Sequence, residues 1–503
     1  MFRSFFHNTL VSALAYFAVS VIGLLIVPVL LTNYGLAEFG LLILARLFLP
    51  SAVLGMFDMG YGEIATQVVA EARVNGKWPM VRAQLQLLAG LVVAVGCTIG
   101  ITLFALDSLI CDWLHVDPLH REEFATLLRV TAMLQPVLFL SLLLEGVVKG
   151  FERFRRLRLL EVVCALSYAV CVPLAVALEW PYDWVAYAFL MSLVLRAQLA
   201  GFTAWKLLAA EGGLAPAEHS PQARRFVLER CRLMWAGRIM GGLQHQSPPL
   251  LIGALIGPVG AGAYDVLVRL PRFVKVVFSQ LNVALLPLAA RVDAAGETGQ
   301  LRTLGAAGML LVPIIAFPPL AAAAAFAEPL LAVWLGEAFR KDGLWLAILF
   351  LVPAMNTLVG FGQQILMTRS SYLRSNNKLM VVQLLLQFVV SFGLVNVLQE
   401  RAFVLGYVLA PLVFFLPQMN AIIREQAFAD DVARRTARMI LVFLITILVF
   451  WWSGLPTRIH SWFELIGVMM GFCAISWIAL PFIGLYSEER RKFWGALLRG
   501  MRL

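Results

Sequence analysis

Apolar stretches of about 20 residues recur along nearly the whole chain, separated by short polar turns, and that spacing is the membrane-helix period rather than a soluble amphipathic one. Fourteen spans are predicted, at approximately 9–32, 39–66, 80–106, 124–148, 159–178, 184–208, 233–256, 261–290, 304–326, 344–368, 378–398, 403–423, 438–455 and 463–485. The fold class that follows is an all-α integral membrane protein. Composition agrees: 61% of residues are AVILMFWYC, 14% are charged, and the mean hydropathy is +0.84. A soluble domain is nearer half apolar and a quarter charged.

Charge then orients the spans. With the N-terminus inside and the spans alternating, twenty-eight Lys and Arg fall on inside loops and five on outside loops. A miscounted span would scramble that bias, so the chain reads as a multi-pass membrane protein with both termini cytoplasmic. The formal net charge of +10 belongs to this asymmetry and not to nucleic-acid binding. The first run, Thr9 to Leu31, is too long for a signal h-region, so no cleavable signal peptide is expected. The six cysteines lack CxxC spacing and mostly sit in apolar runs, where they read as small hydrophobes; no metal site is expected.

The two parts of the chain look related. NYGLAEFGLLILAR (33–46) and ALIGPVGAGAYDVLVR (254–269) each place a Gly-flanked hairpin before a span and an arginine roughly ten residues on. VAEARVNGKWPMVRAQL (69–85) and LAARVDAAGETGQLRTL (288–304) follow at matching places. Six spans per repeat is an even number, so the repeats would share orientation about an axis along the membrane normal, an arrangement that supports alternating access. The predicted organisation is 1–210, an N-terminal lobe of spans 1–6; 211–232, a cytoplasmic linker; 233–425, a C-terminal lobe of spans 7–12; and 426–503, spans 13–14 with a basic cytoplasmic tail.

The segment NTLVSALAYFAVSVIGLLIVPVLLTNYGLAEFGLL (8–42), the following MFDMGYGEIATQVVAE (56–71) and the basic turn EGVVKGFERFRRLRLLE (145–161) resemble polysaccharide repeat-unit flippases. These belong to the multidrug/oligosaccharidyl-lipid/polysaccharide exporter superfamily. The resemblance covers most of the chain with loose motifs. It implies a V-shaped transporter of two six-helix lobes related by pseudo-twofold symmetry plus two C-terminal helices. It further implies flipping of undecaprenyl-pyrophosphate-linked oligosaccharides from the cytoplasmic to the outer leaflet of the bacterial plasma (inner) membrane for surface or exopolysaccharide biosynthesis, with spans 13 and 14 forming a groove for the lipid tail.

Seven cations fall inside predicted spans: Arg46, Arg129, Arg196, Arg238, Arg269, Arg272 and Lys275. Each costs about 2.5–3.5 kcal/mol at a helix centre unless it has a partner or a wet cavity. Arg129 and Arg238 lie near span ends, where snorkelling explains them. Arg46 is about 10 Å into span 2 and Arg196 is mid-span. In YDVLVRLPRFVKVVF (264–278), Asp265, Arg269, Arg272 and Lys275 fit within about 120° of one helix face. Asp265 and Arg269 can pair as i and i+4, and Pro271 interrupts the hydrogen-bond ladder. A pyrophosphate would answer such a face, since its oxygens suit guanidinium forks. The candidate substrate-binding residues are therefore Arg46, Arg196, Arg269, Arg272 and Lys275, against the alternative that they pair with acids and serve packing. Asp58, Asp265, His245 and Glu145 are candidates for ion coupling or pairing; Glu145 has Lys149 at i+4.

No P-loop, dinucleotide fingerprint, HExxH, GxSxG or EF-hand pattern is present, so a transporter without covalent chemistry or cofactor is expected. Coupling to a proton or sodium gradient stays open. A membrane glycosyltransferase or polymerase would place catalytic acids on a large outside loop, and no loop here is long. A peptidoglycan-precursor (lipid II) flippase and a multidrug exporter remain the alternatives; span 1 holds neither the cations of the former nor an acid suited to the latter. Expected partners are the lipid-linked oligosaccharide, membrane lipid and polysaccharide polymerase machinery, with a monomer as the working unit and no nucleic acid.

Overall fold

The computed structural model of the chain describes residues 2–213, 216–218, 220–283, 298–366, 370–426, 430–491 and 494. Among them every regular element is helical, as the hydropathy pattern requires, because a chain in lipid must satisfy its backbone internally. In chain order the helices are α1 (Phe2–Leu47, two helices joined at a kink where Gly35 leaves helical geometry), α2 (Tyr61–Asn75), α3 (Trp78–Ala105), α4 (Asp107–Trp113), α5 (Arg121–Gly150), α6 (Phe154–Ala177), α7 (Tyr182–Ala210), α8 (Pro221–His245), α9 (Ser247–Leu255) and α10 (Pro258–Val283). They continue as α11 (Thr298–Ala325), α12 (Ala327–Leu335), α13 (Gly343–Leu349), α14 (Leu351–Leu366), α15 (Ser370–Leu398), α16 (Glu400–Gln426), α17 (Asp430–Trp452) and α18 (Trp462–Gly484). The chain divides into two compact units, Met1–Val266 and Leu267–Leu503.

Eleven helices of the described residues are long and apolar enough to cross a membrane, against fourteen predicted spans. Spans 2, 7 and 8 account for the difference. The expected helix at 39–66 ends at Leu47, turns through a 3-10 segment at Val53–Phe57, and restarts at Tyr61. Pro50 cannot continue α1, and Gly60 enters α2 in the left-handed region (φ 78°). Span 7 breaks at Gln246 between α8 and α9, whose first turn holds Pro248 and Pro249. Residues 221–232, expected as linker, are the first three turns of α8. The described part of span 8 is one helix that runs through Pro271 to Val283, and its four charges take it out of the apolar class; 284–290 lie outside the described residues.

Glycines build the first unit. Gly35 (φ 79°) and Gly257 (φ 102°), the hairpin glycines of the two repeats, are both left-handed. One turn beyond each, the helices meet reciprocally. A Cβ on Gly40 would overlap the Pro258 carbonyl, and one on Gly262 would lie 3.0 Å from the Leu36 oxygen. Leu36 and Pro258 each follow the hairpin glycine, and Gly40 and Gly262 each stand five residues past it. Such a reciprocal contact is the mark of a local twofold relation. α2 and α5 cross at Gly62 and Gly146, where the Thr66 hydroxyl is within hydrogen-bond range of both glycine carbonyls, at 2.8 and 2.9 Å. Small residues let backbones approach this closely where water does not drive association.

In the second unit α11 packs on α14, α17 and α18. Its core includes an aromatic cluster of Phe317 on Phe443, at 4.9 Å between ring centroids, and of Phe326, Phe450 and Phe472 in edge-to-face pairs at 5.0–6.3 Å. Arg401 donates to Asp342 at 2.6 Å, and the buried Arg435 donates to Glu489 at 2.7 Å.

Candidate functional site, a charged cavity in the first unit

A cavity of about 570 Å³ opens among α2, α5, α8 and the irregular connector 50–58. The broken spans create it, since a continuous helix would fill the space with apolar side chains. The connector is held by Asp58, which is 6% exposed and accepts hydrogen bonds from the backbone N–H groups of Gly60 (3.0 Å) and Tyr61 (3.1 Å). That is the local turn an aspartate makes with backbone amides two and three residues on, just ahead of Gly60, the N-cap of α2, and it fixes the carboxylate at the cavity wall. α8 packs on the connector through Met234 against Gly60 and Met56 against Gly242, and the Trp235 indole N–H donates to the Met56 carbonyl at 2.9 Å.

The lining that carries charge is Asp58, Glu63, Glu145, Lys149 and Arg238, with His245 beside them. Arg238 is bracketed: its guanidinium pairs with Glu63 and lies 3.4 Å from Asp58. Snorkelling to a span end, the expectation for Arg238, is therefore not its main interaction. Arg129 likewise pairs with Asp107.

Behind the cavity, Glu145 turns away from Lys149, its expected helical neighbour. It takes a bidentate pair from Arg196, 2.6 and 2.8 Å, across α5 and α7. Arg196 also donates to Glu161 of α6 at 2.9 Å, and Glu161 accepts from Arg158 at 2.6 Å. Two cations and two anions close a neutral, part-buried network binding three helices. Planar guanidinium forks suit this geometry, and lysine would not reproduce it.

The predicted site residues thus separate. Asp58, Glu145 and His245 line the cavity. Arg46 does not: it donates to the Tyr168 hydroxyl at 2.5 Å and lies over the Phe189 ring, 4.3 Å from its centroid. Arg196 stands behind Glu145, its charge answered by two carboxylates. Asp265 is buried on α10, and Arg269, Arg272 and Lys275 follow it on that helix, half-buried. Sequence reasoning did not assign Lys149 or Arg238 to the cavity. The only local signal was the basic and acidic residues near interrupted spans.

The family model described as "Polysaccharide biosynthesis protein" matches residues 5–293. Among solved structures, the chain is similar to the lipid II flippase MurJ in an inward closed conformation. The TM-score is 0.67 at 12% identity, covering 94% of this chain and 98% of that one. It is similar to an inward-facing multidrug resistance MATE family transporter of the MOP superfamily, with TM-score 0.58 and 15% identity over 82% and 94% of the two chains. A MOP superfamily transporter from Pyrococcus furiosus gives 0.57 and 14% over 84% and 95%. No curated protein sequence matches. These identities speak for the fold, which is that of the MOP superfamily, in a multi-pass helical membrane protein. With more than half of its length matched by the family model, the chain belongs to the polysaccharide biosynthesis protein family.

Proposed function

We propose that this protein flips undecaprenyl-pyrophosphate-linked oligosaccharide repeat units from the cytoplasmic to the outer leaflet of the bacterial plasma membrane by alternating access. The observation that carries the reading is membership of the polysaccharide biosynthesis family by a chain whose cavity is charged and set among apolar helices. A lipid-linked sugar needs that combination. Its head must cross the hydrocarbon without losing its polar contacts, while its tail stays in lipid. In the cavity, Lys149 meets the pyrophosphate, Arg238 joins it by exchanging Glu63 and Asp58 for the phosphate oxygens, and Gln246 and His245 meet sugar hydroxyls. Arg46 and Arg196 brace the helices behind it. Arg269, Arg272 and Lys275 of α10 form the cationic group of the second unit and take the same type of ligand. An apolar groove of about 200 Å³ between α11, α17 and α18, lined by Phe443, Phe450 and Phe472, suits the polyprenyl tail. The protein does no covalent chemistry in this reading.

The test is deletion of the gene followed by location of the lipid-linked repeat unit. Accumulation on the cytoplasmic leaflet is expected. Normal polysaccharide export with altered dye or drug sensitivity overturns the reading in favour of a multidrug exporter, and accumulation of peptidoglycan precursor overturns it in favour of a lipid II flippase. In the complemented strain, Arg238→Ala and Arg269→Ala each reduce export at unchanged protein level.

A further inference from the structure

The first half of α8 presents an unusual face. At about 100° per residue, Arg224, Leu228, Arg232 and Trp235 fall within about 80° of one another. All four are exposed, Leu228 at 42% and Trp235 at 37%. Arg225 stands beside them with its side chain 82% exposed, paired only at the surface with Glu229 at 2.8 Å. Val227 and Cys231, which border this face at about −60° and −20° on the same wheel with Arg224 at 0°, are buried against the protein. Leu228 and Trp235 give this arginine face an apolar strip, and a face in hydrocarbon would not hold three arginines. The pattern fits the level where acyl chains meet headgroups. Beside it runs a groove of about 660 Å³ that Ala83 and Leu87 of α3 line together with Arg224, Arg225 and Leu228.

We propose that this face and groove form a binding site for an anionic phospholipid, of the phosphatidylglycerol class. Arg224, Arg225 and Arg232 hold the headgroup phosphate, and an acyl chain lies along Ala83, Leu87 and Leu228. Charge selects the occupant: the face carries three cations against Glu229 alone, so a lipid with net negative charge gains what a zwitterionic one does not. The site also has a path to the cavity. α8 is unbroken from Pro221 to His245, and the same helix brings Arg238, Gly242 and His245 to the cavity wall. A lipid seated at one end therefore bears on the cavity through a rigid helix that Trp235 pins to the Met56 carbonyl. Lipid binding here does not depend on the transport reading, because it is measured without any lipid-linked sugar.

The test uses the purified full-length chain, titrated in detergent with phosphatidylglycerol or phosphatidylcholine and read as retained lipid by native mass spectrometry. Each interfacial arginine contributes about fivefold, so the triple variant Arg224→Gln/Arg225→Gln/Arg232→Gln loses on the order of 100-fold in phosphatidylglycerol affinity. Phosphatidylcholine binding is weak in both proteins. The corresponding triple Lys variant keeps most of the affinity, which separates loss of charge from loss of structure. Equal retention of the two lipids by the wild type, or of phosphatidylglycerol by the wild type and Gln variants, overturns the proposal. So does equal loss in the Gln and Lys variants.

Discussion

Replacing Glu145 by Gln tests whether the network behind the cavity holds the first unit together. The side chain keeps its size and one acceptor oxygen but loses its charge. Arg196 is then left with Glu161, which already serves Arg158, so two cations share one anion. Breaking a fully buried ion pair costs about 3–5 kcal/mol, because the partner charge stays behind unpaired. Glu145 is 8% exposed at its side chain but Arg196 is 29% exposed, so water offsets part of that loss. A charge-assisted hydrogen bond is worth about 1.5–3 kcal/mol, and a net cost of about 2–3 kcal/mol follows for Glu145→Gln. For a unit of this size each kcal/mol moves the thermal midpoint by about 2–4 °C, so the midpoint falls by roughly 4–12 °C. The assay is thermal unfolding of the purified protein in detergent at one fixed scan rate, since membrane proteins seldom unfold reversibly. The double variant Glu145→Gln/Arg196→Gln restores charge balance, leaving Arg158 with Glu161. It is no less stable than the single variant, with a coupling of about 1–3 kcal/mol. A Glu145→Gln protein as stable as wild type, or strictly additive losses in the double variant, would refute the reasoning.

Other expectations rest on the same geometry. Asp58→Asn keeps an acceptor for the Gly60 and Tyr61 amides and costs less than Asp58→Ala, which leaves both N–H groups unmet and costs about 1–3 kcal/mol; equal effects in a thermal melt would show that the turn's hydrogen bonds are unimportant. Gly40→Ala drives a methyl into the Pro258 carbonyl and lowers the folded yield more than Gly262→Ala, whose Cβ would sit at a tight but tolerable 3.0 Å from Leu36; size-exclusion profiles of the two variants compare them. Phe326→Ala removes the fully buried ring that meets Phe450 and Phe472 and costs about 3–5 kcal/mol, read as a drop in the thermal midpoint. Arg196→Lys loses the bidentate fork and behaves more like Arg196→Gln than like wild type in that melt.

Much of the fold was legible along the chain. Recurring apolar runs predict membrane helices because the cost of leaving a backbone or a charge in lipid is paid locally, residue by residue. The ends of α3, α5, α6 and α7 fall within a few residues of the predicted spans for that reason. A Gly-flanked hairpin was legible in each half, and within them Gly35 and Gly257 both take positive φ. Even the failures were local in origin. Pro50, Gly60 and the Pro248–Pro249 pair signalled breaks that a hydropathy window averages away.

Charge partnership was a different matter. Sequence spacing offers Glu145 a neighbour at i+4, Lys149, but the folded chain gives it Arg196, 51 positions away, on another helix. Arg238 finds Glu63 across 175 positions, and Arg46 finds Tyr168 across 122. By itself the sequence determined that the chain is a polytopic helical membrane protein, where most of its helices run, and which cations needed an explanation, because hydropathy acts within a turn or two. Only the tertiary structure decided which of those cations are neutralised and which face a cavity. An ion pair depends on the distance between side chains to within an ångström, and helix packing alone sets that distance.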